Sequence, residues 1–479
     1  MLKHPNIGNN NLKTPNSVSR VLADNFPYDP TQDQIRFFQA AQEFVLSREP
    51  NTTLLLKGYA GTGKTSLVAV LVNVLPSFGY KVRLLAPTGR AAKVLARYSR
   101  KSAFTIHKMI YQLRQGAEVQ GMLFKLKRNY SQNTIYMVDE ASMIPEGDLN
   151  NRVLSDLIKY VFQHENNKLM LIGDNAQLPP VGQSESLALS GSHLEQRYGL
   201  RIGSLELNQV MRQSLGSGIL KNANCIRLAL KSSPFEIKFT LKQPDIFKMS
   251  GERLEDGLRY AYDKYGIAET VVICRSNKSA VFYNRNIRHA IFFFEEELEA
   301  GDQIMVVRNN YFYKPEHSPM GFLANGEFAE VVKIINLEER YGYRYADIDI
   351  RLTDDPTHQV ISVKVILDTL HSDYPSLTEQ QYRSLAKQVA ADYDVDLKSR
   401  EVREVLKTDP YLQALQIKFA YAMTCHKSQG GQWKAIFLDK GYVPQEQQDQ
   451  DFLRWLYTGV TRATDELFLV NFEDSYFSI

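Results

Sequence analysis

The chain has 479 residues, which is too long for one typical domain, so we expect two or more compact units. Its 44% hydrophobic and 23% charged residues are typical of a globular protein, and no apolar run approaches the roughly 18 residues of a membrane span. The net charge of +3 is too small to indicate a nucleic-acid partner by itself, because such partners are recognised through clustered charge.

The N-terminal segment and the cysteines bear on the compartment. Residues 1–27 show little apolar periodicity, so we expect a flexible lead-in and neither a secretory signal nor a transit peptide. Cys225, Cys274 and Cys425 lie far apart without metal-ligand spacing, which argues against a disulfide framework or a structural zinc site. These features predict a cytoplasmic setting.

Short apolar runs alternate with helical stretches along most of the chain. Runs bounded by glycine or polar turns are typical of parallel sheets with crossover helices, so we predict two α/β domains. The first domain covers residues 28–190, with strand candidates Thr53–Lys57, Val82–Ala86, Ile135–Val138 and Leu169–Ile172. The second covers residues 191–300 and 409–479, with strand candidates Glu269–Cys274, Gln416–Ala420, Ala435–Leu438 and Glu466–Val470.

Residues 301–408 have a different texture and interrupt the second domain. Four runs separated by polar turns predict antiparallel strands and a small barrel. They are Gly301–Val307, Phe328–Ile335, Tyr345–Leu352 and Val360–Ile366. Two helices are then predicted, each with Ser or Thr near its start, over Thr378–Ala391 and Ser399–Lys407.

A phosphate-loop motif joins the first strand candidate to a helical stretch. Its glycines allow backbone N–H groups and the helix N-terminus to face phosphates. Lys64 would contact the β and γ phosphates of ATP, and the Thr65 hydroxyl would bind Mg²⁺. The predicted nucleotide-binding residues of this segment are Gly58, Ala60, Gly61, Thr62, Gly63, Lys64, Thr65 and Ser66.

An acidic pair follows the buried strand candidate Ile135–Val138. Asp139 is placed to order the Mg²⁺ shell, and Glu140 is placed to polarise an attacking water as general base. Although such a pair is common on protein surfaces, its position downstream of a phosphate loop favours a catalytic role.

Several further segments, in a fixed order, resemble the motifs of superfamily 1 helicases in the RecD-like branch, which includes Dda-type helicases. The similar segments are Ala86–Lys93, Thr105–His107, Gly173–Val181, Leu207–Gln213, Ala422–Gly430 and Tyr457–Ala463. The resemblance covers nearly the whole chain beyond the lead-in. It implies two RecA-like P-loop domains, with an SH3-like barrel and helices inserted in the second.

The resemblance also implies roles for individual residues in ATP turnover. Gln34 occupies the position of the adenine-reading glutamine, and Gln177 would sense the γ phosphate. Arg212 and Arg462 would stabilise charge on the transferred phosphoryl group, which guanidinium groups do bidentately. If both come from the second domain, they reach ATP only when the domains close, which couples hydrolysis to motion.

The expected nucleic-acid track combines motif residues with clustered positive charge. From Lys81 to Lys101 there are seven Lys or Arg residues and no acidic residue, a run that fits either a solvated helix face or a phosphate-binding floor. Lys427 is assigned to the nucleotide side. Residues 111–133 are interpreted as either a duplex-splitting wedge or an ordinary connecting hairpin. The predicted backbone contacts are Thr88, His107, Thr424, His426 and Ser428.

These features predict an ATP-dependent DNA helicase that moves 5′ to 3′ on single-stranded DNA and acts at duplex junctions in repair, recombination or replication. Two alternatives stay open: a motor subunit of a multi-protein recombination nuclease, and an ATP-dependent clamp that binds nucleic acid without translocating. An RNA substrate also stays open. Recombination proteins and single-strand-binding proteins are candidate partners, whereas we expect no membrane and no small-molecule substrate besides ATP.

Overall fold

The structure is a computed structural model. It describes residues 17–113, 124–147, 152–209, 216–232, 237–310, 312–313, 322–353, 355, 357–393 and 408–477. The helices are α1 (Val18–Asn25), α2 (Gln32–Leu46), α3 (Lys64–Val74), α4 (Gly89–Ser99), α5 (Ile106–Ile110), α6 (Val153–Val161), α7 (Gly191–Tyr198), α8 (Gly218–Ala229), α9 (Leu254–Tyr265), α10 (Asn277–Ala290), α11 (Asp368–His371), α12 (Glu379–Asp392), α13 (Cys425–Ser428) and α14 (Gln450–Val460). In the described part of the chain, no helix has the length and apolar character needed to cross a membrane.

The strands form two sheets, a barrel and a hairpin. They are β1 (Thr52–Gly58), β2 (Lys81–Ala86), β3 (Ala103–Thr105), β4 (Tyr111–Leu113), β5 (Phe124–Leu126), β6 (Thr134–Val138), β7 (Lys168–Gly173), β8 (Arg201–Leu207), β9 (Ile246–Met249), β10 (Thr270–Cys274), β11 (Gln303–Val306), β12 (Phe328–Arg340), β13 (Tyr343–Leu352), β14 (Val360–Ile366), β15 (Leu415–Phe419), β16 (Ala422–Thr424), β17 (Trp433–Asp439) and β18 (Ala463–Val470). This arrangement confirms the predicted fold class of two parallel α/β sheets with an inserted barrel and helices.

The first sheet is parallel, with strand order β3-β2-β6-β7-β1-β8. Its central strands are buried on both faces, which explains why they are continuous apolar runs. Successive residues of β1 face opposite sides: Leu54 and Leu56 pack with α1 to α4, and Leu55 packs with α5 to α7. The phosphate-loop motif therefore begins in the middle of a rigid three-layer unit.

Two expectations about this region were wrong. Part of the predicted lead-in forms α1, which is capped by Ser17 and buries Val18 and Leu22 in the core. The edge strand β8 also belongs to the first sheet, although we expected the second domain to begin at residue 191. Its polar residues face solvent at the sheet edge, so the sequence there has no continuous apolar run.

The second sheet is parallel, with strand order β16-β10-β17-β18-β9. The apolar run near residues 416–420 was assigned to this sheet, and that prediction was wrong. It forms β15, which closes the barrel by pairing antiparallel with β11 and parallel with β14. An apolar run alone does not specify which sheet it joins. The short strand β16 lies beside β10 instead.

The barrel consists of β11 to β15, and a buried ion pair connects it to the second sheet. Arg288 on α10 donates through Nε and Nη2 to the two carboxylate oxygens of Asp302, both at 2.8 Å. The helix predicted over Thr378–Ala391 is α12, and a capping box formed by Thr378 and Gln381 begins it. The helix prediction for residues 399–407 lies outside the described residues.

Candidate nucleotide site and nucleic-acid groove

The phosphate loop connects β1 to the N-terminus of α3. Gly61 and Gly63 adopt left-handed backbone conformations, with φ of 76° and 87°. A side chain at Gly58 would place its Cβ 2.9 Å from Thr62 Oγ1. These positions therefore need glycine to keep the loop compact. Lys64 Nζ lies over the loop and donates to the carbonyl oxygens of Gly58 at 2.6 Å and Tyr59 at 3.1 Å.

The phosphate loop has a partly exposed side at the start of α3 and a buried side against α2. Thr65 and Ser66 are partly exposed in the first turn of α3. Gln34 is fully buried behind the loop. Its Nε2 donates to the Thr62 carbonyl at 3.1 Å, and its Oε1 accepts from the Thr31 N–H. In this arrangement Gln34 braces the phosphate loop from α2.

The acidic pair lies where β6 ends, beside the loop. Asp139 is partly buried, and desolvation, followed by the neighbouring Glu140 carboxylate, raises the pKa of Asp139 to about 6. Lys64 acts in the opposite direction. A nearby cation stabilises the ionised form of such a carboxyl group, so Asp139 and the Thr65 hydroxyl fit a Mg²⁺ ion that also binds phosphates. The described residues contain no cluster of three or more His, Cys, Asp or Glu side chains that would bind a metal unaided.

The C-terminal end of α14, from the second sheet, contacts this site directly. Tyr457 Oη accepts from the Ala60 N–H at 2.9 Å and donates to Asp174 Oδ2 at 2.7 Å. Arg462 Nη1 lies 3.9 Å from Glu140 Oε1. The guanidinium is held by the carbonyl oxygens of Thr458 and Gly431, each at 3.2 Å. The two sheets are therefore closed on each other across the phosphate loop.

The segment after β7 is also held from the second sheet. The Leu178 N–H donates to Thr458 Oγ1 at 2.9 Å, and Gln429 Nε2 donates to the Leu178 carbonyl at 2.8 Å. The neighbouring Gln177 is buried, and its Oε1 has no hydrogen-bond partner among the described residues. A buried amide in that state is suited to a partner that enters the site. Arg212, the other predicted arginine, lies outside the described residues.

A groove of about 890 Å³ runs along the junction of the first sheet, the second sheet and the barrel. It collects four of the five predicted backbone contacts: Thr88, His107, Thr424 and His426. The barrel contributes loop residues such as Asn325. Burial lowers the pKa of both His107 and His426, so both imidazoles are neutral near pH 7 and can only offer neutral hydrogen bonds.

Two predicted positions differ from what the sequence indicated. Ser428 is fully buried, and its hydroxyl donates to the Cys425 carbonyl at 2.8 Å, so it does not line the groove. A serine one turn from a helix start commonly bonds its own backbone. Lys427, assigned to the nucleotide side, instead lines the groove and donates to Asn325 Oδ1 of the barrel at 2.9 Å.

Helix α4, within the basic run, faces the barrel as well as the groove. The Arg90 guanidinium lies 4.0 Å from the ring centre of Trp433 and 4.5 Å from that of Phe328. Lys93 Nζ lies 3.0 Å from Glu327 Oε1 of the barrel. Two of the seven basic residues therefore bind across the junction, a role that charge clustering alone does not reveal.

Sequence reasoning did not single out Tyr457 or Arg275. Tyr457 is part of a quoted motif, but only the structure shows that its hydroxyl bridges two segments of the first sheet. Arg275 lines the groove beside the rings of Phe452 and Trp455, at 5.6 and 5.9 Å. Its position directly after a buried strand at the same sheet edge was the available signal.

The segment interpreted as either a wedge or a hairpin is described in part. Strands β4 and β5 pair antiparallel, with Tyr111 opposite Leu126. The Tyr111 hydroxyl donates to Asp156 on α6 at 2.8 Å, which fixes the base of the hairpin. Residues 114–123 lie outside the described residues, so the choice between the two interpretations stays open.

Comparison with known proteins gives two family matches and several relatives. A model described as an AAA domain matches residues 36–229, and one described as a UvrD-like helicase C-terminal domain matches residues 419–470. The chain is 25% identical to the ATP-dependent DNA helicase dda of Enterobacteria phage T4, over 92% of this chain and 99% of that protein. It is 24% identical to the RecBCD enzyme subunit RecD of Buchnera aphidicola, over 87% of this chain and 70% of that protein. A crystal structure of the Pif1 helicase from Candida albicans aligns over 94% of this chain and 96% of that chain, with 15% identity and a TM-score of 0.48.

Proposed function

The chain belongs to the superfamily 1 helicases, in the RecD-like branch of ATP-hydrolysing DNA helicases, and from that premise we propose that it translocates 5′ to 3′ on single-stranded DNA and separates duplexes. The observation that best supports ATP-driven movement is the position of Arg462, whereas the proposed direction of travel rests on the resemblance to the RecD-like branch. Arg462 comes from the second sheet, yet it lies 3.9 Å from Glu140 of the first. A change at the nucleotide therefore changes the junction along which the groove runs.

At the nucleotide site we propose the following roles. The loop residues Gly58, Ala60, Gly61, Thr62, Gly63 and Ser66 surround the phosphates with backbone N–H groups, and Gln34 braces the loop from the adenine side. Lys64 leaves its carbonyl partners and binds the β and γ phosphates. Thr65 and Asp139 hold Mg²⁺, which neutralises phosphate charge when bound.

The remaining polar residues act on the reacting atoms. Glu140 takes the proton of the attacking water, while Gln177 donates through its amide N–H to the γ phosphate and accepts from that water through Oε1. Arg462 stabilises charge on the transferred group together with Arg212. This set speaks against a clamp that binds without turnover, because such a clamp needs no general base.

Along the groove we propose that the strand is held mainly through its backbone. Thr88, His107, Thr424 and His426 donate neutral hydrogen bonds to phosphate and sugar oxygens, while Arg275 and Lys427 supply positive charge. Contacts of this type read no sequence, which suits a translocating motor. DNA is preferred to RNA as the substrate because the relative named above, dda, is described as a DNA helicase. Three further statements stay predictions. They are action at duplex junctions, binding of recombination or single-strand-binding proteins, and a cytoplasmic location.

The first test is the ATPase rate of the full chain with and without single-stranded DNA. The proposal expects a large rise on adding a DNA oligonucleotide and a smaller rise with an RNA of the same sequence. Equal rates with and without nucleic acid would contradict it, since binding in the groove would then not reach the nucleotide site. A stronger rise with RNA would reassign the substrate.

A further inference from the structure

Tyr457 connects three separate segments of the motor through one hydroxyl group. Its ring lies on α14 of the second sheet and is 1% exposed. The oxygen accepts from the Ala60 N–H in the phosphate loop and donates to Asp174, which follows β7. No other position on that helix bonds two segments of the first sheet among the hydrogen bonds of the described residues.

The partners of this hydroxyl are satisfied only when the two sheets are closed. Asp174 is completely buried, and its second oxygen already accepts from the Ala176 N–H at 2.9 Å. If α14 moved away, a buried carboxylate oxygen and a loop N–H would each lose a partner. Leaving such groups unpaired is costly, so the hydroxyl favours one spacing between the sheets.

The same helix end positions the arginine proposed to act on phosphate. Arg462 follows Tyr457 by five residues, and its guanidinium is held by the Thr458 carbonyl in the turn between them. Thr458 also binds the segment after β7, through the Leu178 N–H. Any shift of Tyr457 relative to the phosphate loop therefore moves Arg462 relative to Glu140.

We propose that the Tyr457 hydroxyl is a positioning group for ATP turnover, which docks the C-terminal end of α14 on the phosphate loop and on Asp174 and so sets the reach of Arg462. The inference rests on the proposed function. It assigns to Tyr457 no contact with ATP or DNA. Its effect is on the catalytic step through Arg462, and the strength of nucleotide binding is left largely to the phosphate loop.

The test is Tyr457→Phe in the full chain, which removes the hydroxyl and keeps the ring. We expect kcat of the DNA-stimulated ATPase to fall about 10-fold or more, as for loss of a hydrogen bond to a charged group, with KM for ATP within about threefold. Tyr262→Phe is the matched control, because that tyrosine is also buried in the second domain and its hydroxyl has no partner among the described residues. The control should keep the wild-type kcat.

A second comparison separates positioning from general destabilisation. In an Arg462→Lys background, adding Tyr457→Phe should reduce kcat by less than twofold, because the group that it positions has already been replaced. Full multiplicative loss in that background would overturn the proposal, as would wild-type kcat in Tyr457→Phe alone. If the unmodified chain shows no DNA-stimulated turnover, the proposed function fails instead, and this outcome is distinct from both.

Discussion

Glu140 follows β6 of the first sheet and Arg462 precedes β18 of the second, yet their side chains approach to 3.9 Å. The arginine is almost fully buried and is fixed by two backbone carbonyl groups. A buried guanidinium beside a carboxylate is suited to exchange that partner for a phosphate of higher charge. The proposed coupling between ATP hydrolysis and movement depends on this approach of the two side chains.

Replacing Arg462 tests that relationship. We expect Arg462→Ala to reduce kcat of the DNA-stimulated ATPase by on the order of 1,000-fold, as for an arginine that stabilises phosphoryl transfer, with a smaller change in ATP affinity. Arg285→Ala is the control, since Arg285 is exposed on α10. A loss of less than fivefold in the Arg462 variant would show that this arginine does not act on the transferred phosphate.

Lys64 is the most direct test of the nucleotide site. Its ammonium group now donates to two loop carbonyls, and we propose that it transfers these bonds to phosphate oxygens. Lys64→Ala should abolish turnover while leaving DNA binding largely intact, measured by steady-state hydrolysis and by fluorescence anisotropy of a labelled oligonucleotide. Lys159→Ala, at an exposed position of α6, should behave as wild type. Retained turnover in Lys64→Ala would overturn the site assignment.

Substitutions of two groove residues should change the salt dependence of DNA binding in different ways. Arg275 is exposed and carries a full charge, whereas burial lowers the pKa of His426 and keeps it neutral at pH 8. Arg275→Gln should make the dependence of log K on log salt shallower by about 0.7, the value for one phosphate of a single strand. His426→Gln should weaken binding without changing that slope. Equal slopes in both variants would show that Arg275 does not contact a phosphate of the bound strand.

Acidification should act on the same histidine with a defined sign. Because the pKa of His426 is lowered in the folded protein, the unfolded chain binds the proton more readily below pH 6.5. Stability gained from the neutral imidazole is therefore present above that pH and is lost as the pH falls. In His426→Gln, the midpoint of thermal unfolding should fall less between pH 7.5 and 5.5 than in the wild type; an identical fall would contradict the assignment.

The ion pair between α10 and the barrel predicts a large effect on stability. Arg288 and Asp302 are both buried, so Arg288→Ala leaves an uncompensated carboxylate. We expect a loss of about 3–5 kcal/mol in the free energy of unfolding, measured by urea denaturation. Arg383→Ala, which breaks an exposed pair with Glu379 on α12, should cost less than about 1 kcal/mol. Similar losses in the two variants would contradict the assignment of a structural role to the buried pair.

The central strands and the phosphate loop were predictable from the sequence because they are apolar runs ending in glycine or acidic residues. Strand β8 was not predictable, since its polar edge residues carry no apolar pattern. Strand β15 was recognised as a strand but assigned to the wrong sheet, because pairing partners are set by tertiary contacts. The helix over residues 18–25 was not predicted, because eight residues are too few to show a clear helical pattern of apolar positions beside a polar segment.

The candidate site divides in the same way. The phosphate-loop pattern and the acidic pair predicted Lys64 and Asp139 from local spacing, and the resemblance to superfamily 1 helicases predicted Arg462. Contacts between distant segments, such as Tyr457 with Ala60 and Asp174, depend on how two sheets close and leave no periodic signal. The sequence did not predict the burial of Ser428, because a position within a motif does not specify whether a side chain on a short helix faces the groove or the core.

The central claim is directional movement powered by ATP, and the most direct measurement is unwinding of two partial duplexes, one with a 5′ single-stranded tail and one with a 3′ tail. With ATP and Mg²⁺ present, the account predicts unwinding of the 5′-tailed duplex alone, and no unwinding by Lys64→Ala. Unwinding of the 3′-tailed duplex alone would contradict the direction of travel while keeping a helicase. Unwinding of neither substrate, by a chain that hydrolyses ATP, would contradict the claim that this motor separates strands.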